Sequence, residues 1–187
     1  MLRYVDITAP DINNGLGCRV TLWVSGCKFH CKGCHNAWTW KYDQGKFYGE
    51  ELYKDLKYWL DKEYIAGLTL SGGDPLFQDK DALADIIELL KWYKQEYPNK
   101  DIWIFSGYLY DHLVEHANDD EEYRLRMEIL GLCDIFVEGP YVEALRDIAH
   151  VPFRGSTNQR LIDLNKTRKE GNVVLLEITM SQVKIDL

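Results

Sequence analysis

No stretch of the 187 residues approaches the ~18 consecutive apolar positions that a membrane-spanning helix needs, so the chain is expected to work off the membrane. A basic block is missing too. Lys and Arg number 22 against 30 Asp and Glu, a net −8 spread along the sequence. A nucleic-acid footprint requires clustered Lys and Arg, so direct DNA or RNA binding is not expected. Nucleotide-sized ligands stay open, because a few local contacts hold them. The start, MLRYVDITAPD, carries acids and a proline where an export signal has an apolar stretch, and the expectation is a cytoplasmic protein. No Gly/Ser-rich linker or low-complexity segment marks a boundary, which implies one domain over 1–187. The cysteines number five, an odd count, and in a chain without an export signal clustered thiols read as metal or redox chemistry rather than a disulfide framework.

What is present is an alternation of two patterns. RVTLWVSG (19–26), GLTLSGG (67–73), DIWIFSGY (101–108) and CDIFVEGP (133–140) are β-rich apolar runs, each ending in Ser or Glu followed by Gly. Between them lie helical spacings. Leu52, Leu56, Trp59 and Leu60 share one face of 50–64, and Leu83, Ile86, Ile87, Leu90 and Tyr93 one face of 81–97, with Asp79 or Asp81 as its cap. Residues 112–131 hold one or two further helices around an acidic turn. Alternating strands and helices predict an α/β fold with a parallel sheet, covered on both faces, and right-handed crossovers. Ligands of such folds bind at the carboxyl ends of the strands, where Gly lets backbone approach closely. The four Gly-ended strands therefore converge on one mouth. VPFRGSTNQRLIDL reads as a loop entering a short strand, and 172–187 as a further strand at an edge.

The cysteines of SGCKFHCKGCHNAWTW, at positions 27, 31 and 34, follow the spacing C-x3-C-x2-C after the first of these strands. A zinc site wants four ligands, with His30 or His35 completing the set, yet no second Cys pair exists. An electron-transfer [4Fe–4S] cluster wants four thiolates, and Cys18 is the nearest other thiol. A third reading takes the count at face value: three cysteines hold a [4Fe–4S] cluster and leave one iron open to a substrate. Cys18 and Cys133, beside apolar runs, read as buried packing thiols.

The cysteine loop resembles the cluster loop of the radical SAM superfamily, in which the open iron chelates the amino and carboxylate groups of S-adenosylmethionine. SGGDP (71–75) resembles that superfamily's GGE-type motif with Asp in place of Glu. Within the superfamily, CKGCHNAWTW, NGLGCRVTLWVSGC (14–27), GLTLSGGDPL (67–76), KDIWIFSGY (100–108) and FRGSTNQR (153–160) are similar to the activating enzymes of anaerobic (class III) ribonucleotide reductases. The likeness spans roughly residues 5 to 162 and leaves 163–187 as a C-terminal extension. It departs from the family at Leu16, where relatives have Pro, and at His35, where they often have Tyr.

The resemblance implies a partial (β/α) barrel of the radical SAM type. It implies one [4Fe–4S] cluster on Cys27, Cys31 and Cys34, and S-adenosylmethionine contacts at Gly33, His35, Asn36, Gly72, Gly73, Asp74 and Ser106. Glu138 and Gly139 are candidates to line the adenine. Trp40, Arg154, Asn158, Gln159 and Arg160 are candidate contacts with S-adenosylmethionine or the partner, against a packing or solvated-loop reading. The implied activity is reductive cleavage of S-adenosylmethionine to a 5′-deoxyadenosyl radical, which abstracts hydrogen from a glycine of the reductase. The implied partners are that reductase and an electron donor such as flavodoxin or ferredoxin. An activase of another glycyl-radical enzyme, of the pyruvate formate-lyase type, and a zinc-stabilised interaction module are the alternatives.

Overall fold

A strand sends alternate side chains to opposite faces, and in this chain the two faces carry different chemistry. The computed structural model describes residues 1–178. Its strands are β1 (Arg3–Asp11), β2 (Cys18–Val24), β3 (Lys46–Phe47), β4 (Ile65–Gly72), β5 (Asp101–Ser106), β6 (Ile135–Glu138) and β7 (Arg160–Asp163). They form one sheet in the order β3-β1-β2-β4-β5-β6-β7. β2, β4, β5 and β6 are mutually parallel, as the alternating pattern requires. β1, β3 and β7 pair antiparallel, which corrects the expectation of a parallel sheet throughout.

The reason lies in the connections. Only residues 12–17 separate β1 from β2, far short of the dozen or more a parallel crossover needs. β1 also escapes sequence reading because its residues alternate between half-buried and exposed rather than forming an apolar run. RVTLWV is therefore the second strand rather than the first.

One face of the sheet is apolar. Leu22, Leu70, Ile104, Phe136 and Ile162 pack there against α1 (Glu50–Leu60), α2 (Lys80–Glu96), α3 (Tyr110–Glu115) and α4 (Glu121–Leu132). The helical spacings bury Leu52, Leu56 and Leu60 in α1, with Trp59 only half-buried beside them, and Leu83, Ile86, Ile87, Leu90 and Tyr93 in α2. Asp79 caps α2 by accepting from the Ala82 N–H at 2.9 Å. The acidic stretch after α3 breaks the helix because Asp120 caps α4, accepting from the Tyr123 N–H at 2.9 Å. Asp163 likewise caps α5 (Leu164–Glu170) through the Lys166 N–H, and Gly171 closes it in the left-handed region, φ 75°. Of the tail, residues 173–176 run beside β7, with Leu176 N–H donating to the Leu161 carbonyl at 2.8 Å. The expected strand at 172–187 is thus seen as a single bridge at Leu175, and residues 179–187 lie outside the described part.

The other face carries no helix of this set. A small cluster of Trp103, Ile135, Val137 and Leu161 covers part of it, joined by Leu16, Phe153, Leu176 and Ile178. Beside the cluster lies a fully buried charge. Arg19 donates from Nε to Thr69 Oγ1 at 2.8 Å and from Nη2 to the Leu68 carbonyl at 2.9 Å, and its Nη1 pairs with Asp101 Oδ1 at 2.7 Å. Its guanidinium lies 5.3 Å from the Trp103 ring centroid. Arg19 is the second residue of β2 and Asp101 the first of β5, so this knot closes the end of the sheet opposite the cysteine loop. Gly67 belongs to it as well, since a Cβ there would stand 2.2 Å from the Asp101 carbonyl oxygen.

Replacing Arg19 by Met should remove the donor that its side chain offers to the Leu16 and Leu68 carbonyls and to Thr69 Oγ1, which keeps its own bond to the Asn14 carbonyl. The half-exposed Asp101 carboxylate can turn to water, so the cost is expected at about 2–3 kcal/mol, read from urea denaturation. An unchanged midpoint would show that the knot contributes nothing.

Candidate functional site

Two turns at the carboxyl ends of β2 and β4 touch backbone to backbone. The Gly73 N–H donates to the Val24 carbonyl at 2.8 Å, and the Asp74 N–H to the Gly26 carbonyl at 2.8 Å. A Cβ on Gly73 would lie 2.3 Å from the Gly26 oxygen, and Gly26 and Gly72 hold φ values of 96° and 105°. Gln78, itself buried, donates from Nε2 to the carbonyls of Ser25 and Asp74 at 3.0 and 2.9 Å. The segment after the cysteines grips the same turn from its other side. Gly26 N–H donates to the Thr39 carbonyl at 2.8 Å and Cys27 N–H to the Trp40 carbonyl at 3.0 Å.

This arrangement opens the wall of a cavity of about 630 Å³. Cys27, Cys31 and Cys34 line it, as do His35, Asn36, Gly72, Gly73, Asp74, Ser106, Gly139, Arg154 and Gln159. Cys27 is buried, and burial followed by the nearby Asp74 carboxylate pushes its thiol up to about 12. Burial raises the Cys31 thiol as well. Burial keeps these thiols protonated, so neither is activated as a free nucleophile. Three cysteine sulfurs on one cavity wall are the soft donor set that an iron–sulfur cluster takes. Cys18 sits at the far end of β2 and Cys133 is in the apolar core, so neither lines the cavity.

Asp74 is the most committed polar group of the site. Its carboxylate accepts from the Leu76 and Phe77 N–H groups at 2.9 and 3.1 Å, from Ser106 Oγ at 2.8 Å and from the Gly107 N–H at 2.8 Å. It thereby ties the ends of β4 and β5 together and occupies the Ser106 hydroxyl. Arg126 of α4 braces the same loop, donating from Nε to the Leu76 carbonyl at 2.7 Å. Trp40 lines the cavity and stacks on His30, with centroids 4.6 Å apart. Gly33 lies off the cavity: its φ is 74° and a Cβ would meet Glu143 at 2.8 Å.

The loop between β6 and β7 forms the wall facing the cysteines. Gln159 knits it together, accepting from the Gly155 N–H at 2.8 Å and donating to the Gly139 carbonyl at 2.8 Å. Asn158 donates to the Pro140 carbonyl at 2.9 Å, and Arg160 pairs with Glu138 and Asp111, so both serve the loop rather than line the cavity. The Glu138 carboxylate is turned away too, also accepting from the Tyr110 N–H. Arg154 does line the cavity, its Nε buried without a partner among the described residues and its basicity lowered by burial. Sequence reading missed Trp23, Ser71, Phe105 and Val137 on the cavity floor. Their signal was the register, which pairs Trp23 with Ser71 and Phe105 with Val137 across the strands and puts them on one face. Tyr141 and Phe153 were missed as well, and nothing in a loop sequence marks them.

Gly73→Ala is expected to displace the Gly26–Cys27 backbone and lower the thermal midpoint by several degrees, an effect on the order of 1–3 kcal/mol. Burial lifts the Asp74 carboxyl from 3.8 to about 6. Between those values the folded chain holds a proton that the unfolded chain has released, so this group's contribution is full below about pH 4 and lost as pH rises through about 6. The stability gap between wild type and Asp74→Asn, in favour of wild type, should shrink across that window and then level off. A gap that widens would mean that the four donors outweigh burial.

A family model described as "4Fe-4S single cluster domain" matches residues 13–162. Several relatives carry the name anaerobic ribonucleoside-triphosphate reductase-activating protein. That of Enterobacteria phage T4 is 37 % identical over 161 residues, covering 86 % of this chain and 93 % of its own. Those of Salmonella typhi and Vibrio cholerae are 36 % and 38 % identical over 160 residues, covering 84 % of this chain and 96 % of theirs.

Proposed function

The chain belongs to the family of anaerobic ribonucleoside-triphosphate reductase-activating proteins, and on that premise we propose that it is an oxidoreductase that installs a glycyl radical on an anaerobic ribonucleotide reductase. One observation carries the reading: three thiols, at the family's spacing, share one cavity with a two-glycine turn. Cys27, Cys31 and Cys34 hold a [4Fe–4S] cluster and leave one iron to S-adenosylmethionine. When bound, the cluster supplies one electron, and S-adenosylmethionine supplies the adenosyl group that takes a hydrogen atom from a glycine of the reductase.

The protein's own part is placement. Gly72 and Gly73 bring backbone to the methionyl ammonium with no side chain in the way, while Asp74 and Ser106, spent on each other, hold that turn in position. His35 and Asn36 flank the nucleoside, with Gly139 on the facing wall. Arg154, desolvated and with an Nε that has no partner among the described residues, receives a carboxylate of the bound substrate or the backbone of the incoming glycine segment. Trp40, braced by His30, and Phe29, packed 5.0 Å from Phe77 and 5.3 Å from Tyr108, exclude water beside the cysteines. The seven-stranded sheet with this cavity at its strand ends is read as the partial barrel of the radical SAM type, in a single domain. An electron donor of the flavodoxin or ferredoxin class completes the cycle. No helix among the described residues is long and apolar enough to cross a membrane, and the setting proposed is the cytoplasm.

The test is EPR of anaerobically reconstituted, dithionite-reduced protein, with and without S-adenosylmethionine, followed by incubation with the reductase. A cluster signal that shifts on adding S-adenosylmethionine, then a glycyl doublet on the reductase, is expected. Each of Cys27→Ala, Cys31→Ala and Cys34→Ala should abolish both, and Cys18→Ala neither. A doublet on a pyruvate formate-lyase but not on the reductase would reassign the partner. Bound zinc without sulfide would remove the enzyme reading altogether.

A further inference from the structure

The sequence HLVEH (112–116) places two imidazoles and a carboxylate on the last turn of α3, away from the cysteine cavity. His112 and His116 are four residues apart and so share one face of a helix. Their ring centroids are 4.1 Å apart, and the donor atoms of His112, Glu115 and His116 all lie within 4.8 Å of one another. Among the described residues this is the one such set of three His, Cys, Asp or Glu side chains.

Each ring also has one nitrogen committed to a protein partner. His116 Nδ1 lies 2.9 Å from the His112 carbonyl, to which it can only donate, so its Nε2 carries a lone pair. His112 Nε2 meets the Tyr123 hydroxyl at 3.1 Å, leaving Nδ1 as the second nitrogen. Metal-bound histidines are typically oriented in this way, by a partner on the ring nitrogen that does not bind the metal. The local charge also favours a cation. No Lys or Arg occurs between Asp111 and Arg124, while Glu115, Asp119, Asp120, Glu121 and Glu122 do. Two guanidiniums come near and both are paired: Arg126, which lies over the Tyr123 ring at 4.9 Å, with Glu122 at 2.8 Å, and Arg160 with Asp111 at 2.9 Å.

We propose that His112, Glu115 and His116 form a binding site for a zinc-type divalent cation at the end of α3. Two imidazoles and one carboxylate select this class over magnesium or calcium, which prefer all-oxygen shells. A tetrahedral ion about 2.0–2.1 Å from each nitrogen draws the donors slightly closer, and the exposed Glu115 is free to make that movement. The fourth position is left to water or to a ligand from outside the chain. Through the contact of His112 with Tyr123, the ion would also fix the corner between α3 and α4.

Isothermal titration of the anaerobically prepared protein with Zn²⁺ tests the site, with zinc-edge X-ray absorption on the product. The expected result is one ion per chain in a shell of nitrogen and oxygen without sulfur, bound about a hundredfold more weakly by Glu115→Gln and by His116→Ala. Glu115→Gln alters one exposed side chain and guards against a folding artefact in the His variant. A shell containing sulfur, unaltered affinity in both variants, or no binding would each overturn the proposal. The titration is run on the cluster-reconstituted protein and repeated on the Cys27→Ala/Cys31→Ala/Cys34→Ala triple variant, in which added zinc finds no cavity thiol, so the outcome does not turn on what the cavity holds.

Discussion

The contact between Gly26 and Gly73 is the constraint around which the cavity is arranged. Two parallel strands end side by side, and their turns approach until no Cβ fits between them. Peptide groups of one turn then hydrogen-bond those of the other, and the cysteine loop leaves from a point that side-chain motion cannot shift. Gln78 and the Asp74 carboxylate satisfy the polar groups this approach would otherwise bury unpaired, in keeping with the cost of orphaned buried donors and acceptors. A ligand entering the cavity meets a wall already in place, and little ordering of that wall is left to oppose binding.

The two faces of the sheet are held by different forces. Toward the helices, aliphatic side chains at helical and strand spacing exclude water, and many sequences of similar volume would serve. Toward the cavity, a buried guanidinium, two threonine hydroxyls and two aspartates are joined by directional bonds, from Thr21 to Asp11 and from Arg19 to Thr69 and Asp101. Such bonds tolerate few replacements. The inner face trades interchangeability for a fixed shape at the end of the sheet away from the cysteine loop.

The helical face and the four parallel strands were legible because periodicity reports burial directly, and α2 and β4 match their sequence patterns closely. The cysteine spacing and the Gly-Gly turn were legible because chemistry fixes residue type there. β1 was not, since a strand with Pro10 and alternating polar residues has no apolar run to announce it. Arg19 was not, because a charge within a strand pattern carries no sign of the partners that will surround it. The roles of Asp74, Ser106 and Arg160 were half-legible. Their place near the mouth followed from the strand ends, whereas their engagement with one another depends on side-chain directions that spacing does not specify.

The cavity's two walls lie far apart along the chain. The cysteines occur within the first 34 residues, whereas the facing loop, with Tyr141, Arg154 and Gln159, and the apolar strip completed by Leu176 come much later. During vectorial synthesis on the ribosome the thiols therefore emerge while the opposite wall does not yet exist. An iron–sulfur body delivered at that moment would sit on an unroofed loop open to water and oxygen, so the fold itself favours loading after the chain has been released.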